Sequence, residues 1–395
     1  MKAPKDVHVV GRNASDTKPA KFLVFLAKDK GAPIQCQQSD RKNRRKRQHE
    51  SEMTSNVLDV LWIWMLGMTA AREGRQLTKR GREYMKVLVA GATGAIGGPL
   101  VSALIAAGHE VIGMSSSENG ARRLRQTGAE GELANALDEN AVLALVKRVK
   151  PDAVIDELTS LPKRYTPEEM RAAANRDRNL RLVGGRNVHN AARAAGAKRY
   201  IVQSTGFFYG PGEGLGTEND ALAVNASPGV AGSVRTYMQI EERVLGTRDL
   251  PGVALRYGFF YGPGTYHDPI HGSVSDQVRE HAYPVIGSGL GVFSFVHVED
   301  AAAATVTALE SDPGVYNVVD DDPSEMSVWL PAFARFLGAP EPTHLSEQDA
   351  LQKAGADAVY YATRLRGASN GLGKRKLGFA PRKLEWLSKP QAAAR

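Results

Sequence analysis

Cysteine is all but missing: Cys36 is the only one in 395 residues. Everything beyond it must fold without disulfides, which fits a reducing cytoplasm. Long apolar runs are missing too. The best candidate, VLDVLWIWMLGM (Val57–Met68), is interrupted by Asp59 and is well short of the roughly 20 residues that span a bilayer. No membrane partner is expected. The nine histidines are scattered. His267 and His271 have the i, i+4 spacing of metal ligands, but Pro269 between them argues against a helix. With no cysteine in the core, no metal site is expected. No G-x-x-x-x-G-K-[ST] phosphate loop occurs.

Charge of one sign is also absent where it would matter. The chain carries +8, but residues 1–84 hold nine lysines and nine arginines against five aspartates and four glutamates. From residue 85 on the balance is −1, so the core offers nucleic acid no electrostatic footprint. The first segment includes the block RKNRRKR (Arg41–Arg47), read as a solvated, disordered run. Met85 is read as the start of the functional protein and residues 1–84 as a basic extension.

What is present from Met85 onward is an alternation of short β-branched runs with helical stretches. The runs are KVLVA (86–90), EVIGM (110–114), DAVID (152–156), RYIVQ (199–203) and GVALRY (252–257). Between them lie segments such as PLVSALIAAG, with Leu100, Val101, Leu104 and Ile105 at helical spacing. The pattern predicts an α/β fold, a Rossmann-like doubly wound parallel sheet. Past about residue 260 the texture loosens into glycine-rich loops. The expected division is a dinucleotide-binding domain at 85–257 and, at 258–395, mainly a small C-terminal substrate-binding lobe, with segments that return to the first domain.

GATGAIGG (Gly91–Gly98) follows the first strand directly and opens a helix, the setting of a dinucleotide-binding loop. Gly91 permits the tight turn, Gly94 lets the backbone approach a pyrophosphate, and Gly97 lets the helix pack on the sheet. The helix N-terminus supplies N–H groups and partial positive charge. Thr93, Ala95 and Ile96 of the loop belong to the same candidate set, as does Thr159 beyond the fourth strand. The second strand ends in GMSSSENGARRL, where an NAD site usually places a carboxylate for the ribose diol. Ser115, Ser116 and Arg122 (with Ser117 and Arg123 beside them) suit a 2′-phosphate better. NADP is therefore expected, with NAD possible. Asp138, after the third strand, lies where it can bind the adenine amino group.

Six segments carry a family resemblance, in order: GxxGxxG at 91–97, QSTGFFYGPG (203–212), LRYGFFYGPG (255–264), FVHVEDAAAA (295–304), GVYNVVDDDP (314–323) and KRKLGFAP (374–381). From Met85 nearly to its end the core resembles the extended short-chain dehydrogenase/reductases, the NAD-dependent epimerase/dehydratase group. The resemblance implies a catalytic tyrosine with a lysine four places later and often a glutamate at eight. In VRTYMQIEERVL (234–245), Glu241 matches that glutamate, which puts Ser233 at the tyrosine position and Tyr237 at the lysine position. The usual pair is thus expected to be absent. That matters because a phenol has an ordinary pKa near 10, and the lysine helps bring it into range. By the same resemblance Thr205 is the hydroxyl that orients a substrate oxygen. Tyr237, one turn beyond Ser233, is the candidate proton donor.

Family members that handle sugar nucleotides commonly have an asparagine and an arginine where this sequence has Phe259 and Phe293. With Tyr209 nearby, these positions point to an apolar or aromatic small-molecule substrate rather than a nucleotide sugar. Asp320, Asp321 and Asp322 are read as a solvated acidic turn. The expected function is NAD(P)-dependent hydride transfer to a small apolar or aromatic carbonyl or enone, working without the Tyr–Lys pair. The alternatives are a dinucleotide-binding sensor that has lost catalysis, and an epimerase or dehydratase. The family's habit of pairing makes a homodimer an expectation as well.

Overall fold

The computed structural model describes residues 84–388; the expectations made for residues 1–83 lie outside the described residues. Each of the five apolar runs forms a strand: β1 (Lys86–Ala90), β2 (Glu110–Ser115), β4 (Ala153–Asp156), β5 (Arg199–Thr205) and β6 (Gly252–Tyr257), with β3 (Glu130–Leu133) between the second and third of them. Four short strands follow: β7 (Phe259–Tyr261), β8 (Val285–Ile286), β9 (Val292–Phe293) and β10 (Phe295–His297). Then β11 (Gly314–Val318) returns to the main sheet. That sheet has seven parallel strands in the order β11-β6-β5-β4-β1-β2-β3. The winding reverses between β1 and β4, which pair with Ala90 opposite Asp156. A crevice opens outside the carboxyl ends of strands at such a reversal, and ligands bind there.

Strand alternation sorts the core into two layers. Val87 and Val89 of β1 join Leu100, Val101 and Leu104 of the Gly97–Ala106 helix, and Ala301 of the Val298–Ala308 helix. Leu88 and Ala90 face the other way, onto Val142 and Val146 of the Glu139–Val149 helix, Val188 of the Gly185–Ala194 helix and Ile240 and Val244 of the Pro228–Leu245 helix. Burial on both faces explains why these strands read as continuous apolar runs. A π-helical turn, Leu180–Gly184, joins the Pro167–Asn179 and Gly185–Ala194 helices. Such turns add a residue to the helical repeat and re-aim the side chains after them.

The later segments build a third, aromatic cluster around Trp329 and Phe333 of the Met326–Phe336 helix, with Phe259, Phe293, Phe295 and Trp386. The Ala356–Arg364 helix packs against it. The acidic turn is not solvated as a whole. Asp320 is buried, Asp321 pairs with Lys374 at 2.5 Å, and Asp322 accepts from Leu384 N at 3.0 Å. The turn thereby ties β11 to the closing segment of the chain. Among the described residues no helix is long and apolar enough to cross a membrane.

Candidate functional site

The glycine loop leaves the carboxyl end of β1 at the reversal point. Gly91 takes φ +83°, and a Cβ there would meet Glu157 O at 2.5 Å, so both its conformation and its neighbour require glycine. A Cβ on Gly97 would meet Gly91 O at 2.4 Å, whereas one on Gly94 would meet only Gly91 O, at 3.2 Å. Two glycines are thus filled against protein, and the middle one faces open space. Thr93 and Ala95 are exposed beside it, while the Ile96 side chain is buried in the core. The Gly97–Ala106 helix begins with no side-chain cap and no acid in its first turn. Gly98 N already reaches Gly94 O at 3.4 Å and Pro99 has no N–H, so the helix dipole and the N–H groups ahead of Gly98 make the cradle suited to a pyrophosphate.

Beyond β2 the predicted residues part company. Ser115 is buried and its hydroxyl donates to Ser117 O at 3.2 Å, while Ser117 caps the Glu118–Gln126 helix by accepting from Gly120 N. Those two hydroxyls serve the turn. Ser116, Arg122 and Arg123 are exposed, and among the described residues neither arginine has a polar partner. Arg125, by contrast, is tied to Gly131 O at 2.9 Å and to Glu118. Asp138 Oδ1 accepts from Ala141 N at 3.0 Å as the cap of the Glu139–Val149 helix. Asn135, which the sequence did not single out, lies nearer the end of β3, and its Oδ1 accepts from Leu137 N.

The carboxyl ends of β4, β5 and β6 carry buried polar groups of two kinds. Glu241 is fully engaged: Arg256 donates to both its oxygens at 2.8 and 2.7 Å, and Ser204 donates at 2.6 Å. This forked pair clamps the Pro228–Leu245 helix to β5 and β6. It identifies Glu241 as a structural anchor rather than a partner of Tyr237. Tyr209 belongs to the same network. It is buried, donates to Asn317 Oδ1 at 2.6 Å and accepts from Arg256 at 3.0 Å, so it packs in the protein rather than facing a substrate. Other groups are left open. Glu157 accepts from Tyr257 at 3.1 Å through one oxygen, while its second is buried without a partner. Burial pushes its pKa up to about 8. Thr205 Oγ1 is likewise buried and unpartnered. Thr159, half-buried, follows β4 two residues after Glu157. Orphaned buried polar atoms at a ligand crevice are what an incoming ligand satisfies.

The Pro228–Leu245 helix contains a single tyrosine and no lysine. Tyr237 is half-buried, with the Arg181 guanidinium 5.1 Å from its ring centroid. Burial raises its pKa, and Arg181 opposes the rise. Phe259 stacks on Phe207 at 4.1 Å, and Phe293 packs on Phe259 at 4.8 Å. Phe293 is itself only 2% exposed, so it supports this wall from behind. Tyr361 of the Ala356–Arg364 helix reaches the same wall, 6.3 Å from Phe207 and 6.1 Å from Phe259. Nothing in local sequence marks Tyr361, because its neighbours lie a hundred or more residues away. His267 is buried, its Nδ1 3.2 Å from Phe260 O, and burial lowers its pKa to about 4. No cluster able to hold a metal occurs among the described residues.

A seven-stranded doubly wound sheet with a glycine loop at its reversal point defines a dinucleotide-binding α/β protein. The model of the NAD dependent epimerase/dehydratase family matches residues 87–318, and the chain belongs to that family. It is 39% identical over 305 residues to a 3-diazoavenalumate denitrifying reductase of Streptomyces sp, covering 76% of this chain and 98% of the relative. It is 26% identical over 299 residues to a 2-alkyl-3-oxoalkanoate reductase of Stenotrophomonas maltophilia, covering 72% and 86%. A dTDP-glucose 4,6-dehydratase from Streptomyces venezuelae, solved with NAD, superimposes with a TM-score of 0.60 at 19% identity over 76% of this chain and 93% of that one. The fold and the family are those of NAD-dependent epimerases and dehydratases, and the two relatives named above are reductases.

Proposed function

We propose that the chain is an NADPH-dependent reductase of an aromatic substrate whose reactive group accepts hydride without help from a protein acid, an aromatic diazo group lost as dinitrogen being the best fit. The observation that carries this reading is the Pro228–Leu245 helix, which brings to the site no lysine and only a tyrosine whose pKa burial has raised. The site is thus built to hold a dinucleotide and a flat ligand, and this helix brings it only a weak acid. A carbonyl reduced there would need a proton at its oxygen. An arenediazonium group does not. When bound, the reduced dinucleotide supplies a hydride, and Ar–N2+ plus hydride gives Ar–H and N2 with atoms and charge balanced. The name of the 39%-identical relative describes reductive loss of nitrogen from a diazo compound, which supports the same reading.

The chain's own residues then have these tasks. The glycine loop and the Gly97–Ala106 helix end bind the pyrophosphate. Ser116 and Arg122, exposed and uncommitted, receive a 2′-phosphate, which favours NADP over NAD. Thr205 offers its unpartnered hydroxyl to an oxygen substituent on the substrate ring. Phe207, Phe259 and Tyr361 form an aromatic wall for that ring and favour a cationic group through their π faces. Residues from 258 onward, apart from the Val298–Ala308 helix and β11, which belong with the main sheet, are read as the part that covers the substrate.

The test is isotopic. The enzyme is given NADPH and an arenediazonium carboxylate carrying 15N in both nitrogens, and labelled N2 is measured by mass spectrometry against NADPH consumed. One N2 per NADPH, faster than the uncatalysed background, is the expected result. Reduction of an aromatic ketone or enone without N2 release would replace this reading with the carbonyl one, which Thr205 and the oxoalkanoate reductase relative favour. Dinucleotide binding with no consumption on any of these substrates would leave the sensor reading.

A further inference from the structure

The cation that the Pro228–Leu245 helix lacks arrives from another part of the chain. Arg181 sits on the π-helical turn Leu180–Gly184 and is 6% exposed. Its Nε donates to Asp177 Oδ2 at 2.7 Å, its Nη1 to Gln203 Oε1 at 3.4 Å, and its guanidinium lies over the Tyr237 ring. A planar guanidinium can stack on a ring and bond in its own plane at once, which an ammonium cannot do. The far side of the network is also anchored. Asp177 Oδ1 accepts from Ser160 N at 2.6 Å, in the loop after β4. The start of that loop abuts the glycine turn, since a Cβ at Gly91 would meet Glu157 O and Leu158 N. Packed contacts therefore run from the dinucleotide loop through Ser160, Asp177 and Arg181 to Tyr237. Burying an arginine is costly unless it is paired and bonded, and a plain core position would be filled better by an apolar residue.

We propose that Arg181 is a positioning residue of this site: it supplies from the π turn the fixed cation that the Pro228–Leu245 helix does not carry, and it acts through Tyr237, fixing the ring and setting the acidity of its hydroxyl. The groups that face Tyr237 electrostatically are Arg181 and, with opposite sign, Asp177; Tyr361 is coupled to it from the third side. That Tyr237 belongs to the reacting centre rests on the reductase reading, but the effect of Arg181 on Tyr237 does not. A phenol tuned in this way would matter most for substrates that need a proton, and least for a diazonium group.

The experiment needs no turnover. The full chain is labelled with 13Cζ-tyrosine, the Tyr237 signal is assigned by its loss in Tyr237→Phe, and its ionisation is followed from neutral pH upward. In Arg181→Met the midpoint should rise by about one unit or more, the usual effect of losing an opposite charge within a few ångströms. Arg181→Lys, which keeps the charge without the fork, should fall between the two. Asp177→Asn keeps an oxygen for Ser160 N but removes the counter-charge, so it should lower the midpoint. The opposite sign guards against a variant that merely loosens the fold. A Tyr237 titration unmoved in Asp177→Asn and in folded Arg181→Met would overturn the proposal. Because substrate is absent, failure of the diazo assay leaves this result standing, and the reverse also holds.

Discussion

The two walls of the crevice are built by different means. On the β1–β2 side the working surface is backbone: Gly94 is exposed, its neighbours Gly91 and Gly97 are locked against protein, and a helix end is left bare. On the β5–β6 side it is side chains, gathered from the π turn, the Pro228–Leu245 helix, β7 and the Ala356–Arg364 helix. A backbone wall depends on side chains being absent, so it fixes residue types within a few positions and changes little when the substrate changes. A wall of side chains can be rebuilt one residue at a time. In this protein the first wall is a glycine loop at the reversal of the sheet, and the second includes a Pro228–Leu245 helix with one tyrosine and no lysine.

Breaking the backbone wall should have the largest effect. Gly94 has no positive φ, and a Cβ there meets only one atom at 3.2 Å, so Gly94→Asp should fold. Its carboxylate would sit where phosphate oxygens belong and repel them. Dinucleotide affinity, read by fluorescence titration, should fall by about 100-fold or more, which is roughly 3 kcal/mol. Thermal stability without dinucleotide should barely move. An affinity within a few-fold of the parent would mean that the loop is not the phosphate cradle, and the reductase and sensor readings would fall together.

The same contrast explains what could be read from the sequence. The glycine loop and the five strands follow from local spacing or ordered motifs, and the structure places both accordingly, whereas the clamp that Arg256 and Ser204 make on Glu241 is visible only in the structure. Sequence alone cannot tell whether the Tyr209 hydroxyl faces a substrate or Asn317, because Asn317 lies 108 residues away. Tyr361 and Arg181 were invisible for the same reason. Their roles come from long-range packing, and in the case of Arg181 from a one-residue change of helical repeat that no apolar periodicity reveals. The acidic neighbours of Asp320 predict a solvated turn, yet burial removes it from water and pushes its pKa up to about 8.

Where the walls meet, Glu157 offers a test of intermediate size. Its pKa is raised from the ordinary 4.5 to about 8. The folded chain therefore keeps this proton after the unfolded chain has lost it. Between those two values folding binds the extra proton, so the stability this group confers is complete below about 4.5 and is lost as pH rises toward 8. Glu157→Gln cannot titrate and should flatten that decline when melting temperature is measured without dinucleotide from acid to mildly alkaline pH. Asp320, raised by burial in the same direction, keeps its own slope in both proteins, so the difference between the two curves isolates Glu157. Parallel curves would show that its unpartnered oxygen is already satisfied.

The smallest effect is expected at the outer rim, where Arg122 meets solvent. An exposed guanidinium binding a phosphate is screened by salt and by water, and Arg123 next to it can take over part of the contact. Arg122→Ala should therefore weaken NADPH by only about 3- to 10-fold, near 1 kcal/mol. NADH, with no 2′-phosphate, should be unaffected. The selectivity of the loss carries the meaning, because a general loosening of the Glu118–Gln126 helix would weaken both nucleotides alike. Equal losses would return Arg122 to an ordinary solvated helix face and leave the exposed Ser116 to carry the expected 2′-phosphate contact. A loss confined to NADPH, and steeper at low ionic strength, would place the 2′-phosphate beside a side chain in a crevice wall otherwise made of backbone.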